Sequence, residues 1–192
     1  MAGRRGLNGR QRIVDAAFEL FSTNGFEKTT SREIAARAGV ALGLIHKHFG
    51  SIEGLIKATD RRVLEWSSKR MEKALVAAGR LDPSFKAKHG EEDELALSYV
   101  TMALMTRRAG SQDLYFALLE RSKDALGTLR ANGSLRTDVS LEACAQFLLA
   151  LELGALAAWP QHAARAPGRK GAPWLREDVM SLVRDALDPR DA

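Results

Sequence analysis

Between Thr30 and Phe49 the chain sets hydroxyl, cationic and very small side chains at spacings that suit contact with a polyanion rather than catalysis. Thr30, Ser31 and Arg32 open one helical period. Ala41, Leu42, Gly43, His46, Lys47 and His48 populate a second, whose non-apolar positions are small or cationic. A helix N-terminus and its hydroxyls hold phosphate, while short and cationic side chains on a helix face reach base edges in a major groove. The chemistry implied is recognition of double-stranded DNA, with Lys47 the leading phosphate ligand and Gly43 allowing close approach of the backbone. The competing reading is an ordinary helical hairpin with a solvated face.

The elements that must position these residues are legible from local rules. Thr30 and Glu33 stand in the S/T-x-x-E relation of a capping box, which satisfies two orphan N–H groups at a helix start. Ile34, Ala35 and Ala38 give that helix an apolar stripe, and Gly39 supplies the left-handed conformation for a sharp stop. Val40 fills the turn. A second helix from Ala41 carries Leu44, Ile45, His48 and Phe49 at helical spacing before Gly50 and Ser51 end it. So short a helix is not stable alone and needs a supporting core. Upstream, Gln11 to Asn24 is an amphipathic helix with Ile13, Val14, Ala17, Phe18, Leu20 and Phe21 apolar. Phe18, Phe21, Phe26, Ile34 and Phe49 are the candidate core of a three-helix unit.

The stretch resembles the helix-turn-helix of the tetracycline-repressor (TetR) family of bacterial transcription regulators. Thr29, Thr30, Ile34, Ala35, Ala38, Gly39, Val40, Gly43, His48 and Phe49 carry the resemblance, with Ala16, Phe21 and Gly25 before them and Leu55 after. The resemblance covers residues 9 to about 68, with the recognition motif at about 31–50. It implies a homodimer on a near-palindromic operator, with a helical C-terminal domain that senses a small molecule. His46 and Ile52 stand where the family usually has a tyrosine and a lysine that hold phosphates, so those two contacts are not carried over.

Beyond the motif, Ser51 starts a long helix with Leu55, Ile56, Thr59, Val63, Trp66, Arg70, Met71 and Leu75 recurring every three to four residues, interrupted only by Gly54 near its start. It suits transmission of a conformational change. Residues 79–93 read as a loop, and its His89 has no second metal ligand at helical spacing. Two amphipathic segments follow, Glu94 to Arg107 and Ser111 to Ala131, the second ended by Asn132 and Gly133. Leu141 to Trp159 is apolar on nearly every face, and Trp174 to Leu187 forms a last helix after a basic linker. A membrane span at 141–159 is disfavoured by Gln146 and Glu152, since a central acidic residue costs about 3 kcal/mol even on insertion scales. No membrane partner is expected.

The fold class expected is all-α: a helix-turn-helix domain over 9–68 and a helical-bundle sensing and dimerisation domain over 69–192. A mostly apolar effector is expected among Leu95, Tyr99, Met102 and Thr106 on one helix, Tyr115, Leu119 and Ser122 on the next, with Phe147 and Leu151 closing the space. A dimer interface is expected at Ala150, Leu151, Gly154, Ala157 and Ala158, joined by Leu175, Val179 and Leu182, where small residues let helices approach.

Residues 1–62 contain 11 Lys or Arg against 6 Asp or Glu, whereas the remaining 130 residues balance at 18 against 18. The excess positive charge is therefore concentrated at the helix-turn-helix end, as a DNA-facing domain requires. Arg4, Arg5 and Arg10 read as a mobile arm. One cysteine, Cys144, excludes a disulfide framework and suits a reducing cytoplasm, where a DNA-bound regulator is nucleoid-associated; burial in an apolar run is its expected setting. No catalytic residue, metal site or cofactor is expected: paired carboxylates, a Glu-x-x-His repeat and an activated nucleophile are all missing from the sequence, which disfavours a helical-bundle enzyme. A ligand-independent nucleic-acid-binding module is the remaining alternative, and it would not need the large apolar C-terminal part.

Overall fold

The computed structural model describes residues 8–79, 91–150 and 154, and the side chains of all of these except 71–79. The fold is all-α: α1 Gly9–Asn24, α2 Ser31–Ala38, α3 Gly43–Phe49, α4 Ile52–Gly79, α5 Glu91–Met105 and α6 Ser111–Ala131. Residues 141–150 are helical as well, and no strand occurs among the described residues. The chain divides into two compact units, one of residues 1–66 with 89–115 and the other of 67–88 with 116–192.

In the first unit α1 is the central support. Ile13, Val14, Ala16, Ala17, Phe18 and Phe21 form a stripe at helical spacing, and all six are buried. Each large apolar side chain withdrawn from water contributes about 1.5–3 kcal/mol, enough to hold the short helices docked on it. α1 begins earlier than the apolar period suggests, because Asn8 caps it: its side chain accepts the Gln11 N–H at 2.9 Å. Arg10 therefore lies in the helix rather than in a mobile arm, with its guanidinium 5.2 Å from the centroid of the Phe49 ring. Arg4 and Arg5 lie outside the described residues. At the other end Gly25 (φ 83°) ends α1 and donates its N–H to the Phe21 carbonyl. Phe26 then folds back on Phe21 with ring centroids 4.9 Å apart.

α5 also belongs to this unit, which departs from the boundary at residue 68 that the sequence suggests. It starts at Glu91 and ends at Met105, with Glu91, Glu92, Asp93 and Glu94 all in its first turn. Four carboxylates there complement the positive end of the helix dipole. Two of them are gripped from α4: Arg62 reaches Glu92 at 3.1 Å and the Trp66 indole N–H reaches Asp93 at 2.8 Å. Farther along, Ala96, Tyr99, Val100 and Ala103 are buried, and the Ser98 hydroxyl donates to the Ser22 carbonyl on α1 at 2.6 Å.

In the second unit α6 buries Leu118, Leu119, Ser122 and Leu126. Residues 141–150 lie alongside it, joined by Lys123 to Glu142 at 2.8 Å. Gly133 (φ 76°) ends the α6 region where the Asn132–Gly133 pair predicts a stop. Cys144 is only half-buried, short of the buried setting that its apolar neighbours suggest. No helix among the described residues is long and apolar enough to cross a membrane. Of the expected interface, Ala150 and Gly154 are exposed, while Leu151, Ala157, Ala158, Leu175, Val179 and Leu182 lie outside the described residues, as do His89 and the 174–187 segment.

Candidate DNA-binding surface

The helix-turn-helix closes through hydrogen bonds that its sequence spells out. At the start of α2 the Thr30 hydroxyl accepts the Glu33 N–H at 3.3 Å, and the Glu33 carboxylate accepts the Thr30 N–H at 2.8 Å. The same carboxylate also takes the Thr30 hydroxyl proton at 2.8 Å. These bonds, backbone first, hold the Glu33 carboxyl below its usual pKa. Thr30 is thus already spent on the cap. The groups left for an anion are the Ser31 and Arg32 N–H groups, which by helix geometry have no carbonyl to bond, and the exposed Arg32 side chain.

Gly39 ends α2 in the left-handed region (φ 63°, ψ 44°), with its own N–H on Ala36 and the Val40 N–H on Ala35 at 3.0 Å. This is the six-to-one closure of a Schellman stop. α3 then starts tightly: Leu44 N–H bonds Ala41 and Ile45 N–H bonds Leu42, both at 3.0 Å, so the helical turn begins at Ala41 although regular helix begins at Gly43. Only Ile45 of α3 is fully buried, while Leu44 and Phe49 are half-buried.

Every other expected DNA-facing residue of α3 and its approach is exposed: Ala41, Leu42, Gly43, His46, Lys47 and His48. His48 does not join the apolar stripe with Leu44 and Ile45; it is exposed, with its ring 6.1 Å from that of Phe49. His46 turns toward the C-terminal end of α3, Nδ1 lying 3.3 Å from the Gly50 carbonyl oxygen. A carbonyl only accepts, so that contact requires the proton on Nδ1. Among the described residues neither Arg32 nor Lys47 has an intramolecular ion-pair partner.

Two features that hold α3 escape a reading by spacing. Gly54, at the start of α4, sits so close to the end of α3 that a Cβ on it would stand 2.0 Å from the Phe49 carbonyl oxygen. The second is a buried polar network behind the surface. Asp60 of α4 accepts the Tyr99 hydroxyl at 2.8 Å and pairs with the Arg108 guanidinium. That guanidinium also lies 4.6 Å from the Phe26 ring centroid, and Tyr99 packs edge-on to Phe26 at 5.1 Å. Burial pushes the Asp60 carboxyl above the usual carboxylate range, against the opposing pull of Arg108 and the Tyr99 hydroxyl. Burial, with the Asp60 charge, pushes the Tyr99 phenol far above its ordinary value.

The residues expected around an effector are divided between the two units. Leu95, Tyr99, Met102, Thr106 and Tyr115 belong to the first unit, and Leu119, Ser122 and Phe147 to the second. Tyr99 is fully buried with its hydroxyl on Asp60, and Thr106 is exposed with its hydroxyl on Met102. Ser122 is buried but spends its hydroxyl on the Leu118 carbonyl, and Phe147 is 59% exposed. Leu95, Met102 and Tyr115 are half-buried and Leu119 is buried.

Known proteins share both the motif and the fold. The family model for bacterial regulatory proteins of the tetR family matches residues 13–59. The HTH-type transcriptional regulator BetI of Burkholderia cenocepacia is 27% identical over 148 residues, 75% of this chain and 70% of that protein. The HTH-type transcriptional regulatory protein RaaS of Mycobacterium tuberculosis is 29% identical over 144 residues, 74% of this chain and 66% of that protein. A solved TetR-family structure from Rhodococcus sp. superposes with a TM-score of 0.70 at 19% identity, covering 93% of this chain and 95% of its own. With the helix-turn-helix assembled as described, residues 13–59 form a DNA-binding domain of the tetR-family kind, and the chain is a DNA-binding transcriptional regulator.

Proposed function

We propose that the protein is an effector-responsive repressor that binds a near-palindromic operator as a homodimer. The observation that carries the DNA-binding geometry is the exposed face of Ala41, Leu42, Gly43, His46, Lys47 and His48, held by a buried Ile45 and flanked by the free N–H groups at Ser31 and Arg32. In this reading Lys47 and the start of α2 hold phosphates, and α3 enters the major groove. A seven-residue helix offers few base contacts, and two-fold pairing doubles them on a palindrome. The exposed Phe147, Ala150 and Gly154 support pairing through the segment that begins at 141. The effector is mostly apolar and acts from the C-terminal helices, in the cytoplasm where the operator lies. To lower operator affinity a hundredfold it must favour the non-binding conformation by about 2.8 kcal/mol.

Selection of duplexes from a randomised library, followed by sedimentation of the complex, tests this reading. The expected result is a two-fold symmetric sequence bound by an even number of chains. A selected site without two-fold symmetry, bound tightly by one chain, overturns the dimer. A selected duplex that no apolar fraction of the native cell extract releases removes the effector.

A further inference from the structure

We propose that Arg12 is a further DNA-contacting residue, holding a backbone phosphate beside the α2–α3 turn. Arg12 lies in the first turn of α1, and its Nη1 is 3.9 Å from where a Cβ on Gly39 would stand. The guanidinium is therefore laid against the turn that leads into α3. Its Nε is buried with no hydrogen-bond partner, and among the described residues no carboxylate or carbonyl reaches the group. A guanidinium brings five N–H donors in a fixed fork; here Nε–H is buried and unpaired, and among the described residues the Nη donors have no protein partner to give up when a phosphate approaches.

The local electrostatics are arranged in the same sense. α1 has no acidic residue in its first turn, and carries Arg10 and Arg12 there instead. Cations at a helix N-terminus oppose the dipole, at a cost of about 0.3–1 kcal/mol each, so the isolated helix is weakened by them. The neighbouring guanidinium shows the contrast within one turn. Arg10 is stacked over Phe49 and serves to hold α3, whereas Arg12 has its charge uncommitted. Elsewhere in the unit the half-buried Arg62 and Arg108 each meet a carboxylate, on Asp15 and Asp60 respectively. An approaching polyanion completes the coordination of Arg12 and relieves the unfavourable end of α1 together.

The test uses the full chain and a fluorescent duplex of mixed sequence, because phosphate contacts do not depend on sequence. Binding is measured across a series of salt concentrations for the wild type, Arg12→Gln, Arg12→Lys and a charge control in the second unit, Arg121→Gln. The Gln variant is expected to flatten the log K against log salt slope by about 0.9 for each Arg12 removed, with the Lys variant and the control near the wild-type slope. A Gln variant that binds more weakly at an unchanged slope shows that Arg12 only shapes the turn, and overturns the proposal. So does a loss no greater than that of the control. A second measurement needs no variant: phenylglyoxal modification of the wild type, read by mass spectrometry, is expected to slow at Arg12 when duplex is bound. Equal rates with and without DNA overturn the contact. Failure of the wild type to bind duplex at all is a separate outcome, and sinks the DNA-binding reading itself.

Discussion

On α3 the polar side chains point outward with few or no partners, while some ten residues on, around Asp60, polar groups of the same unit are buried and paired. Lys47 and His48 are exposed, and His46 keeps one long contact to Gly50. Asp60 accepts the Tyr99 hydroxyl and pairs with Arg108, whose Nε alone is left without a partner, and the Tyr99 ring packs among those of Phe18, Phe21 and Phe26. A surface that must bind a polyanion keeps its donors uncommitted and its desolvation low. A support that must hold that surface still commits its donors and excludes water, so that partial satisfaction becomes costly. The two sets of residues should therefore fail differently: the inner set through the fold, the outer set through DNA binding alone.

The largest effect is expected at the inner set. The Arg108 side chain is 9% exposed and that of Asp60 15%, so Arg108→Ala strands a carboxylate away from water, at a cost of about 3–5 kcal/mol. Urea unfolding should show that loss at neutral pH, with operator binding failing only as the fold does. The pH dependence gives a sharper test. Burial already raises the Asp60 pKa in the folded chain, so the folded state binds this proton more tightly than the unfolded one. The group's contribution to stability is therefore most favourable below the ordinary carboxylate pKa, and declines as pH rises toward the raised value. Removing Arg108 raises it further, so the penalty of Arg108→Ala should shrink in mildly acidic buffer as Asp60 protonates. A penalty that stays constant or grows on acidification would mean that Asp60 is not the stranded charge.

Gly54 lies between the two regimes, since it belongs to the support yet touches the recognition helix directly. A Cβ at 2.0 Å from the Phe49 carbonyl oxygen cannot be accommodated without moving backbone. Gly54→Ala is expected to cost about 1–3 kcal/mol, as overpacking does, with operator affinity falling beyond what the residual stability explains, because the end of α3 has to shift. Comparison of urea midpoints with binding at saturating folded fraction separates the two losses. A variant with wild-type stability and wild-type affinity would show that α3 does not depend on this approach.

How far each region can be read from sequence follows the same division. The capping box at Thr30 and Glu33, the left-handed Gly39 and the apolar stripe of α1 are local devices, complete within a few residues, and they form as their spacing predicts. The start of α1 was equally local, since Asn8 three residues before Gln11 is a capping pattern, but the apolar period hid it. The inner network is not local: Tyr99 meets Asp60 across 39 residues and Arg108 meets it across 48. Helical spacing alone placed Tyr99 on a face shared with Leu95 and Met102, where it read as a pocket handle. Only the approach of α5 to Asp60 of α4 reveals that its hydroxyl is already engaged. Thr30 carries a similar lesson, because the same hydroxyl that marks a helix start as a phosphate site is consumed in making that start.

The smallest effect on stability is expected at Lys47, and that is what makes it the cleanest probe of the outer surface. Lys47 is exposed, has no intramolecular ion-pair partner among the described residues, and sits opposite the face that Ile45 anchors. Lys47→Ala should therefore change unfolding by no more than about 0.5 kcal/mol, as surface substitutions away from caps and pairs usually do. Alanine also favours the helix slightly over lysine, so even the sign of that change is open to stabilisation. Binding to duplex should respond quite differently. If Lys47 holds one phosphate, its removal releases one fewer counterion, and the salt slope flattens by about 0.9 per chain bound. Because the loss is electrostatic and sequence-independent, it should be the same on a selected operator and on a mixed-sequence duplex. A loss seen on the operator alone would move Lys47 from the phosphates to a base edge, and an unchanged slope on both would take it off the DNA.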